Sequence, residues 1–314
     1  MAAYLFKKAA LAALTLLVTS LVVFAMLEIV PGDPARIMLG INATGDAVAA
    51  LRERLGLDLP VWQRYLSWIG GVAVGDLGTS YAYSQPVSEL IGERLAVSLP
   101  LALIALALST LIAIPVGVTA ARLRSRLPDT AIMGITQIGI ALPNFWLALL
   151  LVWLFAIVLR LVPAGGFPGW DDPLQAMRSL ALPAVALAVP QGAILSRLVR
   201  SAMIDTMDED YIRTARAKGV SRSGALWRHA LRNAMIPIVT IMGLQFAYLL
   251  SGTIIIENVF YLPGLGRLVF QAIERRDLIV VESVVLVLVM VVVAVNLLVD
   301  TAYALIDPRL RRTA

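Results

Sequence analysis

Six stretches of the chain are each long enough to cross a bilayer and carry no charge over most of their length. A hydrocarbon core about 30 Å thick takes roughly 20 apolar residues of helix, so this feature constrains the fold more than any short motif. The first stretch runs from Ala9 to about Val30, with Glu28 near its end, and the second fills the gap between Arg94 and Arg122. The third lies between Asp129 and Arg160, and the fifth between Arg232 and Glu257. The fourth, between Arg178 and Arg197, is shorter and holds Pro183 and Pro190, which predicts a kinked span. The sixth begins near Ile279 and passes Val299 to about Ile306, with Asp300 close to its end. Continuous apolar runs favour helices over an outer-membrane barrel, whose strands alternate apolar and polar residues over about 10 positions.

Composition agrees with that reading. The 314 residues are 60% hydrophobic and 15% charged, with a mean hydropathy of +0.85, more apolar surface than one water-soluble core buries. Without cysteine there is no disulfide framework, thiolate metal site or thiol catalysis, and one histidine, His229, leaves little room for a triad. The expected fold is an all-α polytopic membrane protein with six transmembrane helices. Lys7 and Lys8 precede the first stretch as they would in a signal peptide. Its apolar length exceeds the roughly 7–15 residues of such a segment and no small-x-small site closes it, so it is read as an uncleaved helix.

Six spans put both termini on one side, and the placement of the 26 Lys and Arg chooses that side. Lys7 and Lys8, the three arginines of the 122–126 segment, the eight bases between Arg197 and Arg232 and the three of the tail fall together. The opposite side holds fewer, half of them in the long loop from Pro31 to Arg94 where the rule has little force. Both termini are therefore expected in the cytoplasm, and the pI near 9.7 is an orientation signal rather than a nucleic-acid footprint. In the long outside loop a helix is expected from Asp46 to Leu55, ended by Gly56. Another from Val61 to Ile69 carries Trp62, Tyr65 and Trp68 at helical spacing. These rings suit a headgroup-level interfacial helix or a docking rim, and the two readings coexist.

The loop between the fourth and fifth spans is the most structured connection. Asp205, Asp208, Glu209 and Asp210 precede Tyr211-Ile212-Arg213-Thr214-Ala215-Arg216-Ala217-Lys218, and Gly219 follows. Acids at the start, bases at the end and a terminal glycine predict a short capped helix. Ser221 is placed to cap a second helix, Arg222 to Asn233, with Leu226, Ala230 and Leu231 on one side and Arg222, Arg228 and Arg232 elsewhere. Small residues at the apex let another protein approach the backbone closely.

These residues resemble the cytoplasmic loop of ABC-importer permeases, a Glu-Ala-Ala-x-x-x-Gly pattern followed ten residues later by Ile-x-Leu-Pro. The pattern falls on Arg213-Thr214-Ala215 and Gly219, with His229 and Leu231 at the Ile and Leu positions, Arg232 in place of Pro, and Pro237 displaced downstream. The run Tyr211 to Gly219 followed by Arg228-His229-Ala230-Leu231-Arg232-Asn233-Ala234 is similar to the peptide/opine/nickel branch, and to its B-type, first-named permease subunit. The similarity continues through Pro31-Gly32-Asp33-Pro34, Leu55 to Pro60, Gly75 to Ser80, Leu142-Pro143-Asn144 to Ala148, Pro263 to Arg267 with Arg276-Asp277, Asn296 to Asp300 and Asp307-Pro308-Arg309.

The resemblance implies a type I ABC-importer (MetI-like) permease fold. Residues 1–94 would be the first helix and outside loop, 95–306 a five-helix core with a coupling loop at 199–234, and 307–314 a cytoplasmic tail. It implies a homologous second permease, two cytoplasmic ATPase subunits and a periplasmic solute-binding protein as partners. ATP and magnesium would serve those ATPases, with no cofactor on this chain, which itself lacks a phosphate-cradling Gly-x-x-x-x-Gly-Lys-Ser/Thr loop. Arg213, Thr214, Ala215, Arg216, Ala217, Lys218 and Gly219 would form the coupling helix.

Within the spans, Gln137, Asn144, Gln245 and Ser251 are the pathway candidates, either touching solute or bonding helix to helix. Glu28 and Asp300 are read as interfacial. Short peptides are the expected cargo, with nickel or a nickel chelate, glutathione or an opine-like solute as alternatives in the same machine. An ion-coupled secondary transporter is the remote alternative, since neither an inverted repeat nor a mid-span acid is evident.

Overall fold

The computed structural model describes residues 2–29, 32–40 and 43–306. Pro31 and the tail from Asp307 to Ala314 lie outside the described residues, as does the Asp300 side chain. The described elements are helices: α1 (Ala2–Ile29), α2 (Pro34–Leu39), α3 (Gly45–Arg54), α4 (Val61–Ala73), α5 (Val87–Arg122), α6 (Leu127–Ala141), α7 (Asn144–Val158), α8 (Pro173–Met207), α9 (Asp210–Ala217), α10 (Arg222–Val259), α11 (Leu265–Glu274) and α12 (Leu278–Ile306). Five of them, α1, α5, α8, α10 and α12, are each long and apolar enough to span, and α6 with α7 brings the number to six when that bent pair is one crossing.

The third span differs from the continuous helix expected between Asp129 and Arg160. It breaks by 96° between α6 and α7. Proline disfavours the helical conformation of the residue before it, and Leu142, preceding Pro143, is extended at φ −77°, ψ 119°. The fourth span also departs from expectation, being longer rather than shorter: α8 has 35 residues and takes in Arg178, Arg197, Arg200, Pro183 and Pro190. The second loop helix is not separate, because Arg222 to Val259 is one helix that runs on into the fifth span, π-helical from Ala225 to Ala230.

The chain forms two compact units, and the division falls within α5, between Val97 and Ser98. The first comprises Met1–Val97 and Pro263–Ala294. Its core is made by Val87, Leu90 and Ile91 of α5, Leu265, Leu268 and Ala272 of α11, and Val280, Val281 and Val284 of α12. Asp277, buried at the α11–α12 turn, accepts hydrogen bonds from the Ser80 hydroxyl (2.5 Å) and the Ala82 N–H (2.9 Å), so it ties the end of the long loop to that core. The α3 helix closes as expected at Gly56, which stands at φ +67° and leaves the Leu57 N–H bonded to Arg52 O. Arg52 also donates to Asp33 and Asp58. Burial pushes the Asp33 carboxyl up, but the Arg52 and Ala35 hydrogen bonds and the Arg52 charge more than offset it, leaving Asp33 below its ordinary value.

The three rings of α4 do not share one environment. Tyr65 and Trp68 pack on Phe24 of α1, with centroids 5.4 and 6.2 Å away, and the Tyr65 and Ser20 hydroxyls bond at 3.0 Å, whereas Trp62 is exposed. Arg64, on the same helix, forms a fork with Glu28 of α1 at 3.0 and 2.8 Å. Glu28 is thus the anchor of α4 as well as the charged end of the first span.

The second unit comprises Ser98–Leu262 and the described end of α12 from Val295 onward. The α8 helix is its centre, packed by α6, α7 and α10, and α10 also meets α7. Small residues let the backbones close in: a Cβ added at Gly117 of α5 would lie 2.6 Å from both the Ser196 carbonyl oxygen and Val199 Cβ of α8.

Candidate functional site

The α8–α10 connection is assembled on one apolar cluster. Leu195, Val199 and Met203 of α8, Ile212 of α9, and Leu226, Ala230 and Ala234 of α10 are all buried together with Val118 of α5. In α9 only Ile212 is fully buried, at 1% exposure. Because side chains at helical spacing turn by about 100° per residue, one inward residue leaves the rest of so short a helix facing away. Arg213, Thr214, Arg216, Ala217, Lys218 and Gly219 are accordingly exposed and Ala215 is half-buried. The seven residues expected to couple therefore lie together, three of them basic, on a segment held from behind by Ile212 and by a 2.7 Å hydrogen bond from Asn233 Nδ2 to the Tyr211 hydroxyl.

Both ends of α9 are set by local chemistry. Asp210 begins it and pairs with Arg213 at 3.1 Å. Asp205 instead belongs to the last turn of α8, and Asp208 pairs with Arg124 at 2.9 Å. At the other end Gly219 sits at φ +91°, with its N–H bonded to Arg216 O (3.0 Å) and the Val220 N–H bonded to Ala215 O (3.2 Å). Those two bonds are a Schellman closure, which needs a left-handed residue where Gly219 stands. Ser221 then caps α10 by accepting the Gly224 N–H at 3.1 Å.

Beside the loop, Arg200 of α8 grips Asp129 of α6 through two bonds of 2.7 Å. The Asp129 side chain is 5% exposed and also accepts the Ser125 N–H. This bidentate pair fixes the α5–α6 turn against α8. In sequence Asp129 appears only as a charge bounding an apolar stretch and Arg200 only as one of the eight bases that follow the fourth, and their 71-residue separation carries no pairing signal.

The pathway candidates are scattered. Gln137 accepts a bond from Arg197 at 3.1 Å on an exposed face. Asn144, half-buried, opens α7 directly after the bend, and a Cβ on Gly252 of α10 would lie 3.7 Å from its Nδ2. Gln245 is buried, donates to Gln191 O at 2.9 Å and leaves its Oε1 without a partner among the described residues. Ser251 is exposed and bonds back to Ala247 O of its own helix.

Residues 113–312 match the family model described as binding-protein-dependent transport system inner membrane component, and residues 1–102 match that family's N-terminal model. The chain belongs to this family. It is therefore a multi-pass inner-membrane permease component of an ABC importer. It is 44% identical over 99% of both chains to a Brucella abortus protein provisionally named a peptide transport system permease. It is 39% identical, over 95% of each chain, to the glutathione transport system permease protein GsiC of Salmonella choleraesuis. The inward-facing MetNI methionine ABC transporter shares the fold, with a TM-score of 0.59 and 17% identity over 69% of this chain and 96% of that one.

Proposed function

We propose that this permease forms, with a homologous second permease, the passage through which an ATP-driven importer takes up short peptides delivered by a periplasmic binding protein. Both termini then face the cytoplasm, and α9 seats in one of two ATPase subunits, with Arg213 to Gly219 as the contact surface. The observation that carries the coupling role is the construction of α9: buried at Ile212, closed at its C-terminal end by Gly219, and exposed over most of its other positions. Such a segment moves as a body with α8 and α10, so a displacement imposed on it reaches the spans. ATP and magnesium are used by the ATPase subunits, and this chain contributes no cofactor and no hydrolytic step.

Peptide is the favoured cargo because the relatives at 44% identity carry that name, and glutathione, itself a tripeptide in size, is the second reading because GsiC is nearly as similar. The site candidates Gln137, Asn144, Gln245 and Ser251 offer uncharged polar groups, which suits weak contact with cargo in passage. The test is uptake by proteoliposomes holding all subunits, with labelled dipeptide and labelled glutathione. ATP-dependent uptake of dipeptide that an ion gradient alone does not drive is expected, and uptake driven by the gradient without ATP would overturn the reading.

A further inference from the structure

The first unit holds an open cavity of about 430 Å³ whose walls come from α1, the long loop with α4, and the start of α12. Glu282 of α12 lines it and is only 7% exposed. Among the described residues none donates a hydrogen bond to its carboxyl group or pairs with it. Two bases line the cavity, Arg54 and Arg64, and Arg64 is already committed to Glu28 through two bonds. The rings of Trp68 and Phe24 line the cavity as well. Tyr81 completes the wall, its hydroxyl pushed up to about 12 by burial and then by the negative charges of Asp277 and Glu282. The inner wall therefore combines a buried carboxyl group that accepts no hydrogen bond from the described residues with the rings of Phe24, Trp68 and Tyr81.

A carboxylate beside aromatic faces is the chemistry that recognises an ammonium group. The volume falls within the usual range for small-molecule sites and is far larger than a bare ion needs. We propose that this cavity receives the amino end of a short peptide, its ammonium against Glu282 and the aromatic rings that line the same cavity. That the ammonium belongs to a peptide rests on the importer reading above, whereas the preference for an ammonium rests on the cavity alone.

The test is calorimetric titration of the full chain in lipid nanodiscs, at constant sodium chloride, with alanyl-alanine, its C-terminal amide and its N-acetyl derivative. The free dipeptide and its amide should bind within about threefold of each other, and acetylation should weaken binding roughly tenfold or more, the loss expected for one charge-assisted contact. Glu282→Gln should lose the same factor. Equal binding of the acetylated peptide, or displacement of alanyl-alanine by sodium ion mole for mole, overturns the proposal without any variant, so a misfolded Glu282→Gln does not shield it. Dipeptide uptake by the complete ATP-driven importer, measured in parallel, separates the two readings. Uptake without ammonium-selective binding removes the cavity proposal alone, and selective binding without ATP-driven uptake removes the importer reading alone.

Discussion

Replacing Gly219 tests whether α9 transmits movement because its end is closed. At φ +91° an alanine incurs the left-handed penalty of about 1–2 kcal/mol, and no contact adds to it, because among the described residues nothing beyond the two chain neighbours lies within 4 Å of the added Cβ. An asparagine, which tolerates that conformation, should cost less. Proline is held near φ −65° and has no N–H, so Gly219→Pro removes the bond to Arg216 O and, by forcing the turn open, the Val220 to Ala215 bond as well. With each bond worth roughly 1 kcal/mol net, the closed end of an eight-residue helix is lost. A shift of 1–2 kcal/mol changes a two-state ratio by roughly 5–30-fold. The assay is peptide taken up per ATP hydrolysed by the complete importer in proteoliposomes. Coupling should fall in the order Gly, Asn, Ala, Pro, with hydrolysis by the proline variant continuing while uptake drops by about tenfold or more. Wild-type coupling in the proline variant would refute the argument. An alanine variant as impaired as proline would show that a partner's close approach, and not the backbone angle, makes glycine necessary.

Three further outcomes follow from the packing. Ile212→Ala should destabilise the loop by about 2–5 kcal/mol, seen as faster amide exchange over 210–217, while Arg213→Ala, at the exposed face, leaves exchange and melting near wild type; equal effects would mean that α9 is not anchored from behind. Asp129→Asn should lower the melting temperature in detergent by the equivalent of about 1–3 kcal/mol. That is less than a fully buried pair would lose, because the Arg200 side chain is 27% exposed. Adding Arg200→Met should recover part of the loss, and strictly additive losses would sink the pairing argument. Gly117→Ala should destabilise by about 1–3 kcal/mol because α5 and α8 must separate. Gly134→Ala on α6, where nothing lies within 4 Å, should be neutral or mildly stabilising, and matched effects in thermal unfolding would contradict the close approach.

The spans were legible because charge-free length is itself the physical requirement for crossing a bilayer, and α9 was legible because its glycine and its initial acid act locally. Charge, however, marks the edge of the hydrocarbon rather than the end of a helix. At 1.5 Å per residue, the 35 residues of α8 extend over about 52 Å against a hydrocarbon core of about 30 Å, so Arg178, Arg197 and Arg200 continue the helix beyond it. The bend at Leu142 was hidden for the opposite reason, since no charge interrupts the run and only Pro143 announces it. Gln245 and Ser251 could have been separated beforehand: six residues turn a helix through about 600°, or 240° net, so one inward side chain leaves the other outward. The Asp129–Arg200 pair and the cavity around Glu282 join residues remote in sequence, and no local pattern encodes such meetings.

The brevity of the joints around α9 has a kinematic consequence. Only Asp208 and Glu209 separate α8 from α9, and only Lys218 to Ser221 separate α9 from α10. Each peptide unit is planar, so the first joint has four soft torsions. The second has eight, of which the two at Gly219 are confined to a left-handed well and others are fixed by the Schellman and Ser221 bonds. A hinge with so few free angles cannot absorb a displacement of several ångströms by uncoiling. Its motion is reduced to a small set of rotations about Ile212, and the ends of α8 and α10 must turn with them.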